Sequence, residues 1–456
     1  MMTGRSSNPH LALWIAATGL PHGEIARRIA AEAKTQGHCQ VAPDATRIRR
    51  WIVGERPRPP VPALLAAVIS EAIGQPLTPG DLGLTAAGPT LDSIQLPLLT
   101  EAAAQTLAGW TQMDLFLDRR DTLKLALGAP LILAAERMLG GTARRLNRAT
   151  KGFDADTTTA LEEVTAFFTK ADASKGGGLY RAAIVAQLAE VARRVQDGVP
   201  PSLKARVFAT TADLAALAGW VSHDCGRYAT AQRYWSYGIY AASEAAQPDR
   251  GVEIVTRMSH QMIYLGHPHD ALGLLEVAAA KASLPATRAL VASQTGRVHA
   301  ALGDQRQADR HLGAADELTA DGMGNDVPPW MNYFDAAEHA GARAVSARDL
   351  AVIGRNLRAS DHFTDALALR QPGFNRVKVM DRIGLAAALF AENEPEQGAA
   401  AAHQALDDAT RIDSTLVASR LNTLLDAARR YRTADVDEVR SRAQDLAAAR
   451  PTPVAA

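Results

Sequence analysis

Apolar and small residues recur along this chain at helical rather than strand spacing, in segments punctuated by glycine and proline. The most regular segment is LAGWVSHDCGRYATAQRYWSYGIYA, from Leu217 to Ala241. Gly219 and Ala231 are small where two antiparallel helices would touch, Trp235 is the large residue that wedges between them, and Gly226 stands at the turn. The turn-plus-alanine pattern returns at Gly266 with Ala271 and at Gly303 with Ala308, so the turn glycines at 226, 266 and 303 are 40 and 37 residues apart. Looser copies fall around Gly341 and around Asn393 to Gly398. Strand-type alternation is nearly absent, and the spacing predicts an all-α chain.

A helix pair repeated at this interval is the mark of a tetratricopeptide (TPR) type unit, whose length is about 34 residues. One pair cannot bury its apolar face alone, so successive pairs stack into a superhelix with a concave inner wall. Proline and glycine cluster from Arg56 to Pro62, from Gln75 to Gly83 and again at 88 to 93. The expected organisation is a small amino-terminal domain over 1–90, a helical connecting region over 91–195, and a TPR-type α-solenoid over 196–456.

Within the first domain, Leu11, Trp14 and Ile15 mark one helix, Ile25, Ala26, Ile29 and Ala33 a second, and Ile48, Trp51 and Ile52 a third. Leu64, Leu65, Val68 and Ile69 mark a fourth. Asp44 can cap the third helix, and Gly54 with the run GERPRPPVP ends it, because proline cannot continue the hydrogen-bond ladder. With Ile48 and Trp51 facing inward, Thr46 and Arg50 point most nearly away from the core, with Arg47 and Arg49 to either side. The chain as a whole is neutral, with 49 Lys plus Arg against 49 Asp plus Glu, yet Arg47, Arg49, Arg50, Arg56 and Arg58 form a local basic patch. A short, exposed, basic helix held by a buried tryptophan suits the major groove of double-stranded DNA. Its outermost side chains would reach base edges and its flanking arginines phosphates. The plainer alternative is a helical cap with a solvated basic face.

The stretch ATRIRRWIVGERPRPP resembles the recognition helix and exit of Cro/repressor-type helix-turn-helix domains. The interval from Ala26 to Ile48 exceeds that family's, so either the second helix is longer or a loop is inserted. Further on, DASKGGGLYR, AGWVSHDCGRYATAQRYW, HQMIYLGHPHDAL and GDQRQADRHLGAADEL follow in an order similar to the core of actinobacterial helix-turn-helix/TPR regulators of the NsdA type. Their architecture is similar to that of peptide-sensing Rgg and PlcR-like regulators. The resemblance implies transcriptional control through DNA, with the TPR part sensing a ligand or partner and helping to form a homodimer. Apolar stretches over 97–140 and from Ile412 to Leu446 are the candidate dimer contacts. The competing reading is a TPR adaptor that binds another protein and no DNA.

In TPR geometry the first helix of each pair lines the groove. The expected ligand-binding wall is Asp213, Trp220, His223 and Asp224, then Glu253, Thr256, His260 and Tyr264, then Ser293 and Arg297. Polar groups of both signs among aromatics suit a peptide, a polar small molecule or a partner protein. Trp220 is equally well read as a packing residue, and the acids as solvated.

Other chemistry is thinly represented. Neither GxSxG, HExxH, Walker A nor CxxC occurs, so no enzyme, cofactor or metal is expected. His267, His269 and Asp270 sit on a helix–helix turn without further ligands at zinc-like spacing. The triplet Gly176 to Gly178 lacks the strand and the following Lys of a phosphate loop, and is expected to be a mobile connection. Cys39 and Cys225 lie in different segments, which argues against a disulfide scaffold. The start lacks a signal-peptide core, and the apolar run Leu123 to Ala135 is too short for a bilayer and carries Lys124, so a cytoplasmic protein with no membrane partner is expected.

Overall fold

The computed structural model describes residues 8–73, 77, 79–80, 82–84, 96, 100–116, 152–320, 327–355 and 357–449. The run Leu123 to Ala135, and residues 97–99 and 117–140 of the candidate dimer contact, lie outside the described residues. The described elements are 19 α-helices and one short 3-10 turn at Pro329–Met331.

Four helices form the amino-terminal unit: α1 (Pro9–Thr18), α2 (His22–Thr35), α3 (Ala45–Ile52) and α4 (Val61–Ile73). Leu11, Trp14, Ile25, Ile29, Ile48, Trp51, Leu65 and Ile69 meet in its core, all nearly devoid of solvent contact. The helix ends are set by polar side chains. Asn8 accepts from the Leu11 amide at 3.0 Å while its Nδ2 donates to the Leu82 carbonyl at 2.8 Å. Asp44 accepts from the Arg47 amide at 2.7 Å, and Gly54, with φ +106°, follows the end of α3.

The repeats follow as α8 (Lys204–Asp224) with α9 (Tyr228–Glu244), α10 (Pro248–Tyr264) with α11 (Pro268–Ala279), and α12 (Pro285–Ala301) with α13 (Gln305–Ala320). Next come α14 (Ala336–Val352) with α15 (Ala359–Leu369), α16 (Asn375–Ala391) with α17 (Pro395–Ala409), and α18 (Thr415–Ala428) with α19 (Ala434–Ala449). Each first helix also packs on the first helix of the next pair, which is the arrangement of an α-solenoid. Ahead of them, α7 (Arg181–Asp197) pairs with α5 (Thr100–Phe116), and Asp114 of α5 is clasped by Arg181, Arg227 and the Tyr234 hydroxyl.

The pair contact follows the small-against-large pattern. A Cβ on Gly219 would fall inside the Trp235 indole, whose Nε1 donates to the Ala216 carbonyl at 3.1 Å. Gly296 meets Leu312 and Gly384 meets Phe363 in the same way. Gly226, Gly266 and Gly303 occupy the turns with φ of +76°, +81° and +81°, where a β-carbon would be strained. Gly341 does not mark a turn. It lies inside α14, close under the Arg370 side chain, and the turn of that repeat is at Gly354.

The superhelix then closes on itself. Helix α6 (Ala155–Lys175) lies against α8 on one side and α16 on the other, so the beginning and end of the array share one interior.

Candidate functional site

The structure offers two separate surfaces. On the first, Thr46, Arg47, Arg49 and Arg50 of α3 and Arg56 and Arg58 beyond it all keep solvent contact, while Ile48 and Trp51 are buried beneath. None of these arginines is ion-paired among the described residues. The question of a longer second helix or an inserted loop is settled for the loop: α2 ends at Thr35, and residues 36–44 connect it to α3. That connector folds back through His38 N to the Ala33 carbonyl at 2.7 Å. The junction is therefore more open than the tight turn of a helix-turn-helix.

The second surface is the interior of the superhelix, and several residues expected on an open wall are sealed into it. Asp224 has no solvent contact. It accepts from the Gly177 amide at 3.1 Å, from the Ser414 hydroxyl, and from Arg376 Nη1 at 3.3 Å, while Arg376 makes two bonds to Asp172 of α6 at 2.7 and 3.0 Å. Asp224 is thus the clasp joining α6, α8, α16 and α18, and this position is already filled by the chain itself. Burial pushes its carboxyl above the usual range against the pull of Arg376.

Glu253 is equally sealed. It accepts from Arg250, from Arg257 at 2.5 Å and from the Tyr333 hydroxyl at 2.8 Å, and against the effect of burial these partners hold its carboxyl below the ordinary range. His223 has no accessible surface and, among the described residues, no hydrogen-bond partner for either ring nitrogen, and burial, with Arg376 nearby, pushes it down to about 3, so it is neutral. Thr256 and Ser293 are buried as well.

Asp213, Trp220, His260, Tyr264 and Arg297 do keep accessible surface. Asp213 pairs with Arg250 Nε at 2.7 Å, and burial raises its carboxyl. The Trp220, His260 and Tyr264 rings gather around His223 at centroid distances of 5.7, 6.1 and 5.3 Å. Arg257 and Arg376 lie over Trp220 at 5.6 and 5.3 Å, as cation–π partners. Trp220 therefore both packs and lines the interior. Arg297 reaches His260 Nδ1 at 3.4 Å and Gln294 Oε1 at 3.3 Å.

The Gly176 to Gly178 loop is tightly held. A β-carbon on Gly177 would press into Val221 and one on Gly178 into the Asp413 side chain, and the Gly178 amide donates to the Asp413 carbonyl at 3.2 Å. Close backbone approach explains the glycines.

Asp172, Arg376, Ser414 and Tyr333 carry the interior but do not stand out in the sequence, since each lies distant in the chain from its partners. The glycine triplet is the one local signal. A Ser293–His339–Asp316 chain, with bonds of 2.9 and 2.8 Å, has the composition of a nucleophilic triad, but its serine is 2% exposed.

Residues 11–85 match the family described as SP15 N-terminal domain. No curated protein matches the chain. Among solved structures, the crystal structure of the P58(IPK) TPR domain is similar at 12% identity over 77% of this chain and 95% of that one, with a TM-score of 0.19. So loose a superposition has no bearing on function, and the solenoid assignment rests on the helix packing. No helix among the described residues is long and apolar enough to cross a membrane.

Proposed function

We propose that this chain is a cytoplasmic transcriptional regulator that binds double-stranded DNA through its amino-terminal unit and senses a small molecule, peptide or partner through its TPR solenoid. The observation that carries the reading is α3: an exposed helix whose arginines have no acidic partners among the described residues, held in place by Ile48 and Trp51. Unpaired guanidiniums on a convex element attract a polyanion without first breaking intramolecular ion pairs. The match over 11–85 supports treating these residues as a unit distinct from the repeats. The open 36–44 connector departs from a compact helix-turn-helix and sets α3 further from α2 along the chain.

Fluorescence anisotropy with the full chain and its own promoter region tests the reading. Affinity should exceed that for random duplex and fall steeply with salt, as phosphate contacts release counterions. Arg47→Ala is expected to weaken binding to all sequences and lower the salt slope by about one, whereas Arg50→Ala should cost about 1–3 kcal/mol and relax base preference. Binding that is undetectable at low salt, or insensitive to salt, would favour a TPR adaptor.

One such helix covers few base pairs, so the chain is proposed to act as a homodimer on half-sites about one DNA turn apart. Light scattering should return a dimer at micromolar concentration; a monomer both with and without DNA would remove that part of the proposal.

A further inference from the structure

We infer that the closed interior of the superhelix holds a binding site for the carboxylate or phosphate group of a small anion, built from Arg297 of α12 and Arg420 of α18 with Arg348 of α14 beside them. This deepens the sensing role proposed for the solenoid and rests on it for its use in regulation.

At the end of this interior around Arg297 and Arg420, the charges of the described residues do not balance. Four guanidiniums, Arg297, Arg348, Arg370 and Arg420, face three carboxylates, Glu338, Asp349 and Asp381. Arg370 takes two of those acids, with Glu338 and Asp381 each at 2.8 Å, and Arg348 takes Asp349 at 2.9 Å. Arg297 and Arg420 are left without a carboxylate among the described residues. Both are partly buried and keep accessible surface.

Enclosing cations without counterions is costly. Burial, then Arg348 and Arg297, push Arg420 down to about 9, and burial likewise lowers Arg297.

The neighbouring hydrogen-bond groups point the same way. Arg297 Nε and the Nε2 of Gln294, which is 7% exposed, are buried donors with no acceptor among the described residues. An oxyanion supplies acceptors and negative charge together. His260 and Tyr264 on α10 flank the site with aromatic area, and the clasp at Asp224 is what brings α18, carrying Arg420, into the same interior as α8 and α10.

The test uses the full chain with inorganic phosphate, and separately with succinate, each against sodium chloride of matched ionic strength. Thermal unfolding and titration calorimetry are the readouts. One of the two anions should raise the unfolding temperature and titrate with saturable heat, and which of them does so identifies the group. Arg420→Gln and Arg297→Gln should each weaken that binding by at least about tenfold, as expected for losing a charge-assisted bond. Without anion, Arg420→Gln should be as stable as the parent or more so, because it removes an uncompensated cation; a merely structural arginine would give the opposite result. Stabilisation equal in parent and variants would mean an adventitious ion only, and no effect of either anion would equally overturn the site. Because no DNA is present, failure here leaves the α3 reading intact. Saturable anion binding that left promoter affinity unchanged would instead retain the site and remove its sensing role.

Discussion

Asp224→Ala should destabilise the chain by about 3–5 kcal/mol and loosen the contact between the two ends of the superhelix. The carboxylate is fully buried and engages Arg376, Ser414 and the Gly177 amide at once, so alanine leaves a hydroxyl and an amide without this acceptor and Arg376 with one carboxylate in place of two. Arg376 keeps its two bonds to Asp172, which limits the loss to one side of the clasp. Hydrogen exchange would locate the effect: protection should fall in α6, α16 and the start of α18 well before it falls in α12 and α13. Asp224→Asn, which keeps the shape and loses the charge, should fall between parent and alanine variant. An alanine variant with parental exchange throughout would show that the ends are held by something else.

Gly219→Ala should also lower stability, although helix propensity alone would favour alanine there by about 1 kcal/mol. The added β-carbon would enter the Trp235 indole, which is fully buried and fixed by its bond to the Ala216 carbonyl. Overpacking of a fixed core ring costs about 1–3 kcal/mol, so the clash wins and the variant should unfold at lower denaturant. Gly313→Ala is the matched control, since a β-carbon placed there would have nothing within 4 Å and its φ is ordinary for an L-residue. That substitution should be neutral or stabilise by up to about 1 kcal/mol. If both variants shift equally, the small-against-large contact is not what holds the pair.

Local pattern was enough to read the helix pairs. The Gly219 and Trp235 contact, the left-handed turns at Gly226, Gly266 and Gly303, and the inward faces of α1 to α4 all depend on residues a few turns apart. The same logic failed at Gly341, where a glycine inside a helix looks no different in sequence from one at a turn. Interior contacts were not legible, because Asp224 meets Arg376 and Ser414 only after the array has curved round through the intervening helix pairs, and no short spacing encodes that curvature. Assigning Asp224, Glu253 and His223 to an open groove followed from treating the solenoid as a straight stack. The outward face of α3 needed no such knowledge, since the position of every side chain follows from Ile48 and Trp51.

The meeting of α6 with α16 also changes how the chain must fold. In an open repeat array each contact is local in sequence, so structure can nucleate anywhere and spread, and ends can fray independently. Here Asp172 bonds Arg376 across 204 residues, a contact that can form only once the intervening pairs have taken up their curvature. Closure is therefore a late step that rewards completion of the whole turn at once, so the repeats between α8 and α16 should melt as one cooperative unit.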